Sequence, residues 1–462
     1  MRAAAFLSGS LFVLAAAALL FRRLGVVDTG RFTTATSLGA VVTGLTDLGL
    51  TTVAMRELAV LHGEERDSLA RNILGMRLVL TAIGVLLVTA FAFAVYGSLL
   101  GLGVLIASSG VFVQNAQVTL AVPLVVRLRL GWVSLLDFVR YLTIALLIVL
   151  LVLLGAHLLA FLAVTAVAAL VVLPPTIVLI RGDIPLRPSF DTRQWRRLVG
   201  PVLAYSAAQA AATLYLRVAI VLVSLISDAR QLGYFGASYR LVEALLTLPS
   251  LLVGAAFPIF ARAAREDPAR LRLALSRVFE IALIVGVWIS LSLALGARLI
   301  IAVIAGPSFT PSVPVLACQG VVVGAVFVSS VFAYGLLSLE LHRVILAFNI
   351  VLLLVMAVVV AILASLYGAL GAAIGTAVVD SAAAVAAVVV LAHGRPHLKL
   401  DLRIVPKVAL AALIGAAPAL LAGVPVIGRL FLSTFLYAAS LLLLRALAPD
   451  VLAIFSPRRW RH

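Results

Sequence analysis

The sequence contains little that could support redox or metal chemistry. Its 462 residues include one cysteine, Cys318, and six histidines. A single cysteine excludes an intrachain disulfide and a cysteine-based metal cluster. Of the histidines, only His393 and His397 share a helical spacing, in a basic segment that is more typical of a solvated loop than of a metal site. We therefore expect no metal and no other cofactor.

Charged residues are scarce as well. They make up 11% of the chain, whereas hydrophobic residues make up 64%, and the mean hydropathy is +1.24. Soluble globular domains carry about a quarter of charged residues. The composition therefore excludes a water-soluble globule and predicts an all-α integral membrane protein.

Lysine is almost missing, since all 35 basic residues except Lys399 and Lys407 are arginines, and the formal net charge is +17. A charge of this size also occurs in proteins that bind nucleic acid. Here, however, the arginines lie in short gaps between apolar runs, where the positive-inside rule of membrane topology places them. We expect no nucleic-acid partner.

Long apolar runs fill most of the chain. About twenty apolar residues cross a bilayer as a helix, and the sequence predicts fourteen such spans. They lie near 3–21, 32–55, 73–95, 99–122, 132–154, 158–180, 198–226, 235–260, 278–305, 313–338, 344–366, 369–392, 408–422 and 430–448. The first run could be a cleaved signal peptide, but its length and the many spans that follow favour a first transmembrane helix.

Basic residues alternate from one gap to the next. The odd-numbered gaps hold only Arg22, Arg23, Arg31, Arg230, Arg298 and Arg429, and the even-numbered gaps hold most of the others, beginning with Arg56, Arg66, Arg71 and Arg77. By the positive-inside rule, the even-numbered gaps and both termini are cytoplasmic. The sequence thus predicts a multi-pass protein of the cell (cytoplasmic) membrane.

The longest polar gap, 181–197, contains two prolines and is the predicted cytoplasmic linker between two halves. It separates an N-terminal six-helix bundle, 1–180, from a C-terminal six-helix bundle, 198–392. A cytoplasmic loop, 393–407, then leads to two additional transmembrane helices and a basic tail, 408–462. Every outward gap is short, so no extracellular domain is expected to hold chemistry.

The stretch 23–57 is the most informative part of the chain. We interpret it as a turn over Leu24 to Thr29, then Gly30 and Arg31, and then one apolar helix from residue 32 to 55 in which Asp47 is the only formal charge, closed by Arg56 and Glu57. The segment 228–266 is a weaker copy, in which Gly233 and Phe235 fall on Gly30 and Phe32. Duplicated halves are common in transporters, although glycine and leucine are frequent enough here for chance to give the same agreement.

The pattern R-L-G-x-x-D-x-G-R-F at 23–32, with D-L-G-L at 47–50 and R-E at 56–57, resembles the polysaccharide flippases of the multidrug, oligosaccharidyl-lipid and polysaccharide exporter superfamily. The segments A-G-P-S-F at 305–309 and G-A-A-I-G-T-A at 371–377 resemble that family's outer turn between helices 9 and 10 and the start of its twelfth helix.

This resemblance implies two pseudo-symmetric six-helix bundles around a central cavity that opens alternately to either side of the membrane. The expected cargo is a polyprenyl-diphosphate-linked oligosaccharide for polysaccharide biosynthesis, whose tail stays in the bilayer. Membrane lipids and other polysaccharide-assembly proteins are the implied partners. The resemblance implies a transporter and not an enzyme.

Two arginines at membrane depth are the leading candidates for a substrate site. Ionisable groups in spans cost a few kcal/mol, so they normally face a cavity or one another. Arg217 and Arg240 should lie at similar depth on consecutive helices, and guanidinium groups match phosphate oxygens. They could line a cationic pocket for the diphosphate. Alternatively, Arg240 pairs with Glu243 one turn away or extends to the membrane interface.

Asp47 and Asp380 are isolated carboxylates in spans. They could serve as coupling or counter-ion groups, as could Glu243, or they could pair with an arginine or cap the backbone. Arg23 and Arg31 oppose the positive-inside trend at the outer side. They could attract the anionic head group, or they could belong to a solvated turn.

Pro249 falls in the middle of the predicted span 235–260. Proline inside a helix removes a hydrogen bond and bends the helix, which could provide a hinge or only a static kink. Asp137 and Arg140, at helical spacing near the end of a span, favour a local ion pair.

Two other functions stay open at this point. A cation-coupled drug or small-molecule antiporter of the same superfamily should have an acidic or aromatic cavity. A membrane-embedded glycosyltransferase or ligase should show outer acidic residues or a sizeable outer loop, and the outward gaps contain little beyond Asp28 and Asp228.

Overall fold

The computed structural model describes residues 2–47, 49–183, 185, 187–394, 398, 400, 402–421 and 423–446. About 90% of these residues are helical, and no strand occurs among them. The predicted all-α class is confirmed. Residues 395–397, 399 and 401 of the predicted loop 393–407, which include His397, and residues 447–462 lie outside the described residues.

Fifteen α-helices follow one another along the described chain. They are α1 (Arg2–Asp47), α2 (Leu50–Val60), α3 (Gly63–Tyr96), α4 (Ser98–Leu120), α5 (Val122–Val126), α6 (Leu130–Leu153), α7 (Leu158–Leu179), α8 (Thr192–Ile226), α9 (Ala229–Leu245), α10 (Thr247–Glu266), α11 (Pro268–Ile304), α12 (Ser312–Ser338), α13 (His342–Gly394), α14 (Ile404–Ala416) and α15 (Val426–Leu443). Short 3-10 helices span Pro307–Phe309 and Ala417–Leu420.

The lengths and composition of the helices confirm a multi-pass membrane protein. Among the described residues, nine helical segments are long and apolar enough to cross a bilayer, and two shorter apolar segments cover Ala210–Ile226 and Ile404–Leu420. Helix α13 has 53 residues, about twice the length that one span needs. It therefore accounts for both predicted spans 344–366 and 369–392.

Two long helices contain a single non-helical residue. In α1 this is Gly25, with φ 71° and ψ −177°, and in α13 it is Gly368. Glycine has no Cβ, so it adopts a positive φ at low cost and allows the chain to change direction at one residue. The predicted turn from Leu24 to Thr29 is therefore too long, because the helix resumes directly after Gly25.

The predicted single helix 32–55 is wrong. Helix α1 ends at Asp47 and α2 begins at Leu50, with Gly49 between them in the left-handed conformation at φ 68° and ψ 8°. A residue with this backbone cannot continue a right-handed helix. The break brings a change of direction close to the one carboxylate of the span, Asp47.

The described chain forms two compact units. The first comprises Met1–Arg240, Val303–Phe309 and His342–Ala372. One of its apolar clusters includes Ala35, Leu38, Val104 and Leu162, all nearly inaccessible to solvent.

The second compact unit comprises Leu241–Ala302, Thr310–Leu341 and Ala373–His462. Within it, the rings of Phe279 and Phe332 meet edge to face at 5.9 Å. The Tyr437 hydroxyl on α15 donates to the Ile284 carbonyl at 3.0 Å, so α15 packs on α11. The division into two six-helix bundles joined by a linker stays a prediction.

Part of the predicted linker packs on α3. The Ser189 N–H donates to the Arg71 carbonyl at 3.0 Å, and the Asp191 N–H donates to the Asn72 amide oxygen at 2.9 Å. The Asn72 amide in turn donates to the Gln194 side chain at 2.8 Å. These bonds fix the connection between α7 and α8 against the first turns of α3.

Candidate functional site

Helices α1 and α9 cross at two glycines. A Cβ atom on Gly30 would overlap the carbonyl oxygen of Ala229, and a Cβ atom on Gly233 would overlap that of Val26. The contact is reciprocal. Ala229 follows Val26 by the same number of residues as Gly233 follows Gly30, so each glycine contacts the counterpart of the residue that the other glycine contacts. Two-fold-related elements make contacts of this kind. The crossing therefore supports the repeat that the sequence indicated.

Arg217 lies on the face of α8 that is directed toward α1. Thr213, one turn before it, meets Gly44, and Val221, one turn after it, packs against the cluster of Ala35 and Leu38. Residues four apart share a helix face, so Arg217 lies between these two contacts. Its side chain is half-buried.

One hydrogen bond joins the helices that carry Arg217 and Arg240. The hydroxyl of Tyr239 on α9 donates to the carbonyl of Leu216 on α8 at 2.8 Å, which joins the two helices one residue before each arginine. The side chain of Arg240 is exposed, and Glu243, one turn further along the chain, is half-buried. Whether the two arginines form one site stays a prediction.

Asp47 takes part in a buried polar network. It pairs with Arg77 and accepts a hydrogen bond from Thr51 at 2.7 Å. Arg77 also reaches the Asn115 amide oxygen at 3.5 Å, and Asn115 donates to Thr81 at 3.2 Å. Of the alternatives for Asp47, the structure shows pairing with an arginine.

Sequence reasoning missed Arg77. The charge pattern places it among the basic residues of a cytoplasmic gap, whereas the structure places it inside α3 with 3% of its side chain exposed. Its position within the predicted span 73–95 was the available signal. A buried guanidinium needs a counter-charge, and that requirement points to Asp47.

Replacing Arg77 with alanine is expected to lower the free energy of unfolding by about 2–3 kcal/mol, because it leaves the partly buried Asp47 carboxylate uncompensated. Thermal unfolding of the purified protein in detergent measures the change. Arg270→Ala is the control, since Arg270 and its partner Glu266, 4.0 Å apart, have 73% and 54% of their side chains exposed and such pairs contribute under about 1 kcal/mol. Equal losses in the two variants would contradict the assignment.

The arginines that the sequence places at the outer side are engaged by the protein. Arg22 donates to the Val303 carbonyl at 2.6 Å, and Arg23 donates to the Gly155 carbonyl. These carbonyls lie at or just beyond the C-terminal ends of α11 and α6, where the helix dipole favours a cation. Arg31 pairs with Asp28 at 2.9 Å.

Pro249 is buried as the third residue of α10. Helix α9 ends at Leu245, four residues before it. Proline has no N–H to bond the carbonyl at that distance, and the helix is interrupted at Leu246. Asp380 lies in α13 with 7% of the residue exposed, and its role and the hinge role of Pro249 stay predictions.

Residues 7–264 match the family of polysaccharide biosynthesis proteins. The chain belongs to this family. The match covers more than half of the sequence and includes Arg217, Arg240 and Asp47. Sequence comparison with curated proteins finds no match.

Solved structures show which fold this polysaccharide biosynthesis protein has. The lipid II flippase MurJ, in an inward closed conformation, is similar with a TM-score of 0.82 and 12% identity over 96% of this chain and 98% of that one. An inward-facing MATE family multidrug resistance transporter is similar with a TM-score of 0.65 and 14% identity, over 84% of this chain and 94% of that one. A MOP superfamily transporter from Pyrococcus furiosus is similar with a TM-score of 0.56 and 15% identity, over 86% of this chain and 96% of that one. The fold class predicted from the sequence is confirmed.

Proposed function

We propose that this protein is a flippase that moves a polyprenyl-diphosphate-linked oligosaccharide across the cytoplasmic membrane by alternating access. The observation that carries the proposal is the bond from Tyr239 to Leu216, which joins α9 to α8 one residue before Arg240 and Arg217. Membership of the polysaccharide biosynthesis family and the similarity in fold to a lipid II flippase support the same class of cargo.

A diphosphate is the chemical group that suits these two arginines. Each guanidinium offers several N–H donors in a plane and stays charged, and a diphosphate offers oxygens of opposite charge over a similar width. An arginine at membrane depth costs a few kcal/mol. An anionic head group that binds there offsets that cost, and this interaction attracts the cargo away from the interface.

The other predicted residues take secondary roles in this proposal. Arg23 and Arg31, at the predicted outer end, receive the head group after it passes the central arginines. Glu243 and Asp380 act as counter-ions, and Asp47 acts through its pair with Arg77. Pro249 provides a hinge beside the break at Leu246.

A cation-coupled drug antiporter is the second candidate, because the fold is also similar to a MATE transporter. The proposed site argues against it, since arginine side chains bind an anionic group and not a cationic drug. Catalysis by a membrane-embedded glycosyltransferase has less support, because the connections at Gly25 and Gly368 are each one residue long.

Reconstitution distinguishes these functions. Full-length protein in liposomes is expected to move a fluorescent polyprenyl-diphosphate-linked oligosaccharide between leaflets, measured as the fraction of label that dithionite quenches with time. The same vesicles are not expected to accumulate a cationic rhodamine dye against a proton or sodium gradient. Dye transport without movement of the glycolipid would refute the flippase and favour the antiporter.

A further inference from the structure

A cavity of about 210 Å³ lies within the first compact unit, away from Arg217 and Arg240. It is lined by Arg31, Thr34, Tyr96, Leu99, Leu100, Ser224, Ala229 and Leu232. The lining comes from the segment of α1 after Gly25, from the junction of α3 and α4, and from the junction of α8 and α9. Drug-sized ligands occupy roughly 300–1,000 Å³, so this cavity suits a smaller molecule, about one ring in size.

The hydroxyl groups of the cavity act as acceptors toward a ligand. Ser224 donates its hydrogen to the Val221 carbonyl at 2.6 Å. Tyr96 and Ser224 lie 2.6 Å apart, and because a serine has one hydrogen to donate, Tyr96 must be the donor between them. Thr34 donates to the Gly30 carbonyl at 3.1 Å. All three hydroxyl hydrogens are therefore used within the protein, and the oxygen lone pairs remain.

Arg31 provides the donors of the cavity. One of its nitrogens pairs with Asp28 at 2.9 Å, which compensates its charge, and a guanidinium has five N–H groups in total. A phosphate needs donors and net positive charge. The cavity has one compensated cation surrounded by acceptor oxygens, so its chemistry does not favour an anion.

A sugar hydroxyl both donates and accepts, so it uses the arginine and the hydroxyl oxygens together. The apolar side of the cavity completes the fit, since Leu99, Leu100 and Leu232 can cover the C–H face of a pyranose ring. The Tyr96 ring is held in place by an edge-to-face contact with Phe91 at 6.0 Å, which lowers the cost of ordering it on binding.

We propose that this cavity binds one neutral sugar unit, as a subsite separate from the arginines that hold the diphosphate. The proposal rests on the proposed function in one respect: the bound sugar is taken to belong to the translocated head group, at the predicted outer end of the bundle. Binding of the sugar itself follows from the cavity alone.

Saturation-transfer difference NMR tests the subsite with the full-length protein in nanodiscs and free monosaccharides: glucose, galactose and N-acetylglucosamine. At least one is expected to show saturation transfer to its ring protons. Thr34→Val and Tyr96→Phe each remove an acceptor oxygen and keep the shape of the side chain. Each substitution should therefore lower the affinity for the sugar about five- to tenfold. Tyr367→Phe is the matched control, since this tyrosine is 65% exposed and lies outside the cavity, and it should bind as the parent does.

Two results would overturn the subsite. One is that no monosaccharide gives a signal that Tyr96→Phe reduces. The other is that inorganic phosphate displaces the sugar, which would assign the cavity to an anion. Because free sugars carry no diphosphate or lipid, sugar binding without movement of the glycolipid would leave the subsite standing and refute the flippase. Movement of the glycolipid without sugar binding would refute the subsite and leave the flippase standing.

Discussion

Alanine in place of Arg217 is expected to abolish movement of the glycolipid. Arg217 is half-buried on the face of α8 directed toward α1, and a bond from Tyr239 to Leu216 joins its helix to that of Arg240. Losing charge-assisted hydrogen bonds to a diphosphate removes about 3 kcal/mol, which corresponds to a rate about 100-fold lower if the interaction is needed for the cargo to cross. The initial rate of glycolipid movement per reconstituted molecule measures the loss.

Lysine at the same position separates charge from geometry. Arg217→Lys keeps the cation but not the planar fork, so an intermediate rate is expected. Arg298→Ala is the matched control, because Arg298 is exposed near the end of α11 and has no part in the proposed site. Parent-like transport by Arg217→Ala, at normal levels of membrane protein, would remove Arg217 from the site.

Alanine in place of Gly30 should unfold or severely destabilise the protein. The added methyl group would overlap the carbonyl oxygen of Ala229. Backbone atoms cannot rotate away as a side chain does, so α1 and α9 would have to separate. Overpacking costs typically about 1–3 kcal/mol, and we expect Gly30→Ala to reach or exceed the upper limit. The same result is expected for Gly233→Ala, because the contact is reciprocal.

Fluorescence-detected size-exclusion chromatography and the melting temperature in detergent measure this effect. Gly131→Ala is the matched control, since a Cβ on Gly131 in α6 would meet no atom within 4 Å. It should be neutral or stabilise by up to about 1 kcal/mol, because alanine favours helix more than glycine does. A normal melting temperature for Gly30→Ala would show that the helices do not cross this closely.

The sequence was sufficient for the class of fold. Hydropathy marks spans because a helix that crosses a bilayer must be predominantly apolar. The similar depth predicted for Arg217 and Arg240 rests in the same way on the lengths of two consecutive helices and a short connection. Such arguments need only distances along the chain.

Features that depend on one residue's backbone or on distant partners were not predictable in this way. The break at Gly49 is not visible when hydropathy is averaged over a window long enough to recognise a span. The pair of Arg77 with Asp47 depends on how α3 packs on α1. The cavity beside Tyr96 and Ser224 joins segments far apart in sequence, and no spacing rule connects them.

The bonds between α3 and the connection before α8 affect how the protein could be divided. A fragment that stops at Arg181 would lose the two partners of Asn72, namely the Asp191 N–H and the Gln194 side chain. It would also uncover Gly75, which faces the Ser189 carbonyl. Two co-expressed fragments divided after Arg181 would therefore reassemble poorly. Circularly permuted variants should keep residues 187–194 continuous with the amino-terminal part of the chain.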